Sequence, residues 1–300
     1  MTTQKSLFLL VLGTDSAGVV VAIGEGVARF AVGDRVMHQG FFNRRMATFQ
    51  QYTTVPQDLA AKIPPNLSFD EAATIPLTMA TAALGLYNKQ IEPYGGCGLY
   101  PPWEEGGRGK YARQPLFVTG GSSSLGQPVI QFAKLSGVSP IITTASPRHI
   151  AHLQALGATH VIDRSTPPSE IPALIAEITT APIKVLFDAI SDADTQRLCC
   201  TLVAPGGQVV LGLPPVVDRT ALAPGVRIVE VFGNVHVKEQ RPVGVSLYQH
   251  VTELVGNGNI KPNNVEVLTD GLLGISDGLE RLKNGQVSLG KLVAHPQETR

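Results

Sequence analysis

Between Leu116 and Gly126 an apolar run, Leu116-Phe117-Val118, passes through Thr119 into the turn Gly120-Gly121-Ser122-Ser123-Ser124 and then into Leu125-Gly126. No other stretch constrains the fold as tightly, because it reads as a buried strand, a glycine/serine turn and a helix start in direct succession. Glycines let the backbone take positive φ and approach a ligand closely, and the first turn of a helix offers unpaired N–H groups to an anion. The helix is well marked. Leu125, Val129, Phe132 and Ala133 follow the i, i+4, i+7, i+8 stripe, Pro128 suits a first turn and Gly137 suits the stop. Against the pattern G-x-G-x-x-G, Gly121 and Gly126 fit and Ser123 stands in place of the middle glycine. A turn of this kind joins strand to helix in many α/β domains, so its meaning depends on its surroundings.

Those surroundings alternate. Strand Ile141–Thr144 leads to a helix over 149–156 stopped by Gly157, and strand His160–Asp163 leads to a helix near 171–178. Strand 184–188 leads to helix 193–202, and strands 208–211 and 227–232 follow. Near-continuous Val/Ile/Leu strands separated by helices predict a parallel sheet covered on both faces, with ligands at its carboxyl edge. Upstream, glycines separate short apolar runs such as Val19–Ile23, Gly33-Asp34 enters a strand, and further strand-like pieces lie at 49–55 and 59–63. Small closed β structure is expected over 7–65, with the apolar run at 7–12 as one strand. Ser68 with Glu71 three residues on forms a capping box for a helix. A small-residue helix is expected over 78–87, then a Gly/Pro-rich excursion over 90–114 whose single Trp103 packs it down. The tail has helices near 247–255 and 275–283 and a last strand at 289–293. It is expected to return to the N-terminal part.

Three hundred residues, 43% of them hydrophobic, suit a globular chain of two packed domains. Lys+Arg and Asp+Glu balance at 24 each, so no global field favours nucleic acid. No apolar stretch is long enough to span a bilayer. Cys97, Cys199 and Cys200 form no disulfide framework and no C-x-x-C pair, which points to a reducing, cytoplasmic setting and to inert buried thiols. A structural zinc lobe would need four closely spaced cysteines.

In order and spacing, several segments resemble the medium-chain dehydrogenase/reductase superfamily, in its zinc-independent quinone oxidoreductase and fungal trans-acting enoyl reductase branch. They are Gly13–Val20, Val32–Val36, Ala80–Ala83, Gly120–Gly126, Leu156–Asp163 and Gly290–Val293. The resemblance covers nearly the whole chain. It implies a Rossmann doubly wound parallel sheet plus a GroES-like β-barrel domain built from both chain ends, over 1–76, 77–240 and 241–300. Members normally begin several tens of residues before the segment matching Gly13, so the resemblance implies a catalytic domain incomplete at its N-terminus. Zinc-dependent relatives have Gly-His-Glu where this chain has Gly13-Thr14-Asp15, and a cysteine near Leu77; no metal site is expected.

Sites for NAD place an acid about 20 residues after the glycine loop, to hold the ribose hydroxyls. Here the second strand ends in Thr144-Ala145-Ser146-Pro147-Arg148-His149, without an acid. A hydroxyl and a guanidinium can bind a 2′-phosphate, so NADPH is expected, held by Gly121, Ser122, Ser123, Ser124, Leu125, Gly126, Ser146, Arg148 and His149. By resemblance Arg164 joins the 2′-phosphate, Thr81 faces the nicotinamide side, Asp188 borders the adenosine, Gly212 and Leu213 lie near the nicotinamide and Lys291 near the pyrophosphate. The implied chemistry is hydride transfer to an enone, quinone or enoyl substrate. His38, Tyr52 and Asn234 are the chemically capable proton donors. A trans-acting enoyl reductase serving a polyketide synthase and an NADPH-binding remnant are the alternatives. A homodimer through the last Rossmann strand is expected.

Overall fold

The structure is a computed structural model, and it describes residues 11–300. The strand expected over 7–12 falls for the most part outside the described residues.

The centre is a six-stranded parallel sheet. In chain order its parts are β4 Leu116–Thr119, α3 Gly126–Leu135, β5 Ile141–Ala145, α4 Ile150–Leu156, β6 His160–Asp163, α5 Ile171–Ile178, β7 Val185–Asp188, α6 Ala193–Leu202, β8 Gln208–Leu211 and β9 Arg227–Glu230. The spatial order is β6-β5-β4-β7-β8-β9, so the chain leaves β4 first to one side and later to the other. Side chains alternate between two cores. Leu116, Val118 and Val210 join α3, α4 and the helices α2 Pro76–Tyr87 and α7 Arg241–Gly256 on one face, while Phe117, Val209 and Leu211 join α5 and α6 on the other. Alternation with both faces apolar is why these strands read as continuous hydrophobic runs.

The N-terminal lobe is thinner. Strands β1 Asp15–Val19, β2 Arg35–Gln39 and β3 Ala60–Lys62 form an antiparallel sheet in that order. Among the described residues this sheet is open, not closed as expected, since three short strands cannot curl through a full circle. Two expected strands also shift. The run Val19–Ile23 enters the sheet only through Val19, because β1 starts earlier, at Asp15 opposite Gln39. Residues 49–55 form no strand; Phe49 donates its N–H to Leu12 O at 2.8 Å, but no ladder continues from there. The helix α1 Phe69–Ala73 begins as expected. Ser68 Oγ accepts from Glu71 N–H, and the Glu71 carboxylate accepts from Ser68 N–H.

Helix α2 Pro76–Tyr87 enters the core under the sheet, and the excursion over 90–114 is pinned against it. Trp103 meets Tyr87 edge-on at 5.1 Å and donates its indole N–H to Ser246 Oγ at 2.9 Å. Helix α7 Arg241–Gly256 starts six residues before the expected 247, with Pro242 in its first turn. The tail comprises β10 Asn264–Val267, unmarked in the sequence, then α8 Ile275–Lys283 and β11 Gly290–Val293, with β10 and β11 parallel. It returns to the N-terminal lobe: His295 bridges Asp70 and Glu298, and Gln297 donates to Gln51 O.

Candidate cofactor and substrate site

The glycine turn sits at the carboxyl ends of β4 and β7, where the strand order reverses, which is where ligands bind in open parallel sheets. Gly120 holds φ at +62°, donates its N–H to Thr144 Oγ1 at 3.0 Å, and Gly121 N–H donates to Thr144 O at 3.0 Å. A Cβ on Gly121 would stand 2.3 Å from Thr143 Oγ1, and one on Gly126 would stand 2.3 Å from the Gly120 carbonyl oxygen. Both glycines are therefore required for helix and strand to approach each other. Ser123 Oγ accepts from Gly126 N–H at 2.9 Å and so caps the turn from the middle glycine's position. Among the described residues the N–H groups of Ser122, Ser124 and Leu125 have no protein acceptor. Three free amides beside a helix start form a cradle suited to a pyrophosphate.

At the end of β5 the chain makes one 3-10 turn, Pro147–His149. Arg148 donates through Nε to His149 Nε2 at 3.2 Å and through NH2 to Ser288 Oγ at 3.0 Å, and His149 Nε2 lies 3.0 Å from the same hydroxyl. Burial first, then the charges of Arg148, His152 and Arg164, push the His149 imidazole below its usual range. Arg164 follows β6 directly and donates its N–H to Ala145 O at 3.0 Å. The structure thus brings Arg148, His149 and Arg164 into one positive neighbourhood. Ser146 flanks it as the residue before the turn. Ser288 was invisible to sequence reasoning, for it comes from the tail, 140 residues from Arg148.

Asp188 has a different place from the one expected. It is wholly buried, and Oδ1 accepts from the Thr119 hydroxyl, from Ile190 N–H at 3.1 Å and from Ser191 N–H at 2.7 Å. Oδ2 has no partner, and burial raises the carboxyl above its usual range. Asp188 ties the ends of β4 and β7 together and offers no surface to a ligand. Ser191 Oγ extends the tie to β8 by accepting from Gly212 N–H at 2.8 Å, while Leu213 beyond it is exposed. Thr81 lies against Gly233, whose Cβ, if present, would be 1.9 Å from Thr81 Oγ1.

A cleft of about 1890 Å³ opens along the N-terminal lobe and reaches Ser124 of the glycine turn. His38, Tyr52, Leu77, Phe42 and Lys291 line it; Asn234 does not. Lys291 is paired with Asp15 at 2.5 Å, and Asp15 Oδ1 accepts from Leu77 N–H at 2.6 Å, so the ammonium is held by a carboxylate on the cleft wall. His38 is buried and donates Nδ1–H to Gln39 O at 3.1 Å; burial drives its pKa down to about 4. At neutral pH it carries no proton beyond that N–H. Asn234 is buried in its own loop, where Oδ1 accepts from His236 N–H at 3.0 Å. Tyr52 is 68% exposed. Gln39, another residue the sequence did not flag, is the clamp between lobes. Its amide donates to Gly233 O at 2.6 Å and accepts from Val235 N–H at 3.0 Å.

Residues 2–65 match the alcohol dehydrogenase GroES-like domain, and residues 124–256 match the zinc-binding dehydrogenase domain. A dehydrogenase of Aspergillus niger, azaJ, is 32% identical, over 95% of this chain and 81% of its own length. The chain belongs to the medium-chain dehydrogenase/reductase superfamily. A trans-enoyl reductase of Gibberella fujikuroi is 29% identical over 94% of this chain and 83% of its own. In structure, an alcohol dehydrogenase from Rhizobium etli described as zinc-dependent aligns with TM-score 0.76 at 25% identity, covering 95% of this chain and 80% of that one. The Escherichia coli quinone oxidoreductase solved with NADPH aligns with TM-score 0.71 at 19% identity, over 94% and 82%, and shares the fold. Within this superfamily the chain is an oxidoreductase. Among the described residues no group of three or more His, Cys, Asp or Glu side chains is placed to hold a metal ion, and the Asp15 carboxylate is engaged by Lys291 and Leu77. No helix among the described residues is long and apolar enough to cross a membrane.

Proposed function

We propose that this chain is an NADPH-dependent, zinc-independent reductase acting on an activated C=C bond or a quinone. The observation that carries the reading is the pairing of three free amides in the Gly121–Gly126 turn with Arg148, His149 and Arg164 at the neighbouring strand ends, the segment Ser146–His149 that follows β5 carrying no acid to repel a 2′-phosphate. Bound NADPH would supply the hydride. The amides of Ser122, Ser124 and Leu125 would hold the pyrophosphate, with the Lys291 ammonium, now paired with Asp15, as its cationic partner. Arg148 and His149 hold the 2′-phosphate with Ser288 beside them. Thr81 and Gly233, packed on each other, would hold the nicotinamide, and the cleft would hold the acceptor. Hydrogen-bond donors on the cleft wall stabilise the oxyanion that develops. Tyr52 combines exposure there with a proton to give, whereas His38 is held neutral. The same reading divides the chain into a catalytic lobe over 1–76, a cofactor lobe over 77–240 and a return segment over 241–300. It also pairs two copies through β9, an edge strand of the sheet.

An enoyl group as acceptor is favoured by the names of two relatives, the trans-enoyl reductases of Gibberella fujikuroi and of a Penicillium species, and its presentation as a thioester by a polyketide synthase is the alternative reading. Nicotinamide fluorescence titration and NADPH oxidation with quinones, enones and enoyl thioesters test the proposal. Binding with turnover of at least one class is expected; binding without any turnover leaves only a cofactor-binding protein.

A further inference from the structure

Three loops that meet beside the cleft expose more aromatic surface than packing requires. Phe42, Phe232 and Tyr94 are 49%, 37% and 40% exposed, and they come from the N-terminal lobe, the end of the central sheet and the 90–114 excursion. Their rings form a row: Phe42 to Phe232 at 6.4 Å and 37°, Phe232 to Tyr94 at 5.2 Å and 42°. Phe41 continues it from Phe42 at 6.1 Å and meets His236 at 5.7 Å. Phe42 also lines the cleft, and Phe232 directly precedes Gly233, which packs on Thr81. The row therefore runs outward from the place where the hydride would be delivered.

The loops bearing these rings are clamped from beneath. Gln240 is wholly buried; it donates to Tyr94 O at 3.3 Å and accepts from Asn234 N–H at 3.4 Å. Asn88 donates to the same Tyr94 carbonyl at 2.8 Å, and Gln39 holds Gly233 and Val235. Single exposed apolar side chains are ordinary, but a contiguous patch on rigidly held loops marks a binding surface. Rigid seating also lowers the ordering cost of binding.

Resting on the reductase reading above, we propose that this aromatic row is a substrate subsite. It takes the part of the acceptor beyond the reacting double bond and selects flat conjugated substituents over saturated ones of equal size. Aromatic rings attract another π system through offset and edge-on contacts at such spacings, a gain that a saturated ring of the same area does not share.

The test compares kcat/KM for methyl vinyl ketone, for benzylideneacetone and for its analogue with cyclohexyl in place of phenyl. In Phe232→Leu and Tyr94→Leu the phenyl substrate should lose about fivefold and the cyclohexyl analogue less than about twofold, with unchanged thermal melting. Equal losses for phenyl and cyclohexyl, or none, overturn the proposal. So does a Phe232→Leu variant that turns a dimer into a monomer with selectivity unchanged, since the rings would then belong to a contact with a second copy. Should the unaltered protein reduce none of the three, and no quinone or enoyl thioester either, the reductase reading fails by itself. The row is then judged by equilibrium dialysis of benzylideneacetone, whose Kd must rise about fivefold in Phe232→Leu. An unchanged Kd overturns the row as well.

Discussion

The two lobes solve the same problem, burying apolar side chains around a sheet, with very different completeness. In the central sheet the side chains of Phe117, Val118, Leu186, Phe187, Val209 and Val210 are wholly buried, and helices cover both faces. In the N-terminal lobe Val19, Val21, Ile23, Val32 and Phe49 stand exposed along the cleft or near it. The half proposed to hold the cofactor is thus closely packed, while the half proposed to hold the substrate is open and largely apolar along its cleft. An anion needs amides and cations fixed to within a fraction of an ångström, whereas an apolar acceptor needs space and a dry wall.

The comparison can be broken first at the glycine turn. Gly126→Val places side-chain carbons against the Gly120 carbonyl and should cost about 3 kcal/mol while abolishing cofactor binding, measured by denaturant unfolding and fluorescence titration. Next comes acid, which acts on the seam between the lobes. Because burial holds His38 at about 4 against the usual 6.5, the unfolded chain takes up a proton below 6.5 that the folded chain refuses. Stability is therefore full above 6.5 and falls as pH drops toward 4, by roughly 3 kcal/mol. His236, also lowered chiefly by burial, adds in the same direction. Unfolding of His38→Gln across this range should show a shallower acid limb. Thr119→Val removes the hydroxyl that satisfies buried Asp188 and should cost about 2 kcal/mol in the cofactor lobe. Smallest, Ser68→Ala removes the cap of α1 and should cost about 1 kcal/mol, in the lobe where less is at stake.

Legibility in the sequence followed the same divide. Helices 126–135, 171–178 and 193–202 and the strands of the central sheet were readable because each is a contiguous run whose period and end signals are local. The capping box at Ser68 was readable for the same reason. In the N-terminal lobe the pairing Asp15 to Gln39 decides which residues enter β1, and pairing at that separation leaves no local mark. The site divided likewise. The Gly121–Gly126 turn and Arg148 could be named in advance, being adjacent in the chain to their strands. Ser288, Gln39 and Gln240 could not, since each acts through partners more than a hundred residues away. Asp188 was correctly seen at a strand end, but its inward orientation depends on Thr119 and Ser191, which only the folded sheet brings to it.

The central claim is that the positive neighbourhood at the end of β5 reads the 2′-phosphate. It is tested most directly by measuring the Kd of Arg148→Glu for NADPH and for NADH side by side. Arg148 is exposed and its partners are one hydroxyl and one imidazole, so the fold should survive the exchange. The account predicts that NADPH binding weakens by at least about tenfold while NADH binding changes by less than about twofold. Equal weakening of both, or no change in either, would contradict it.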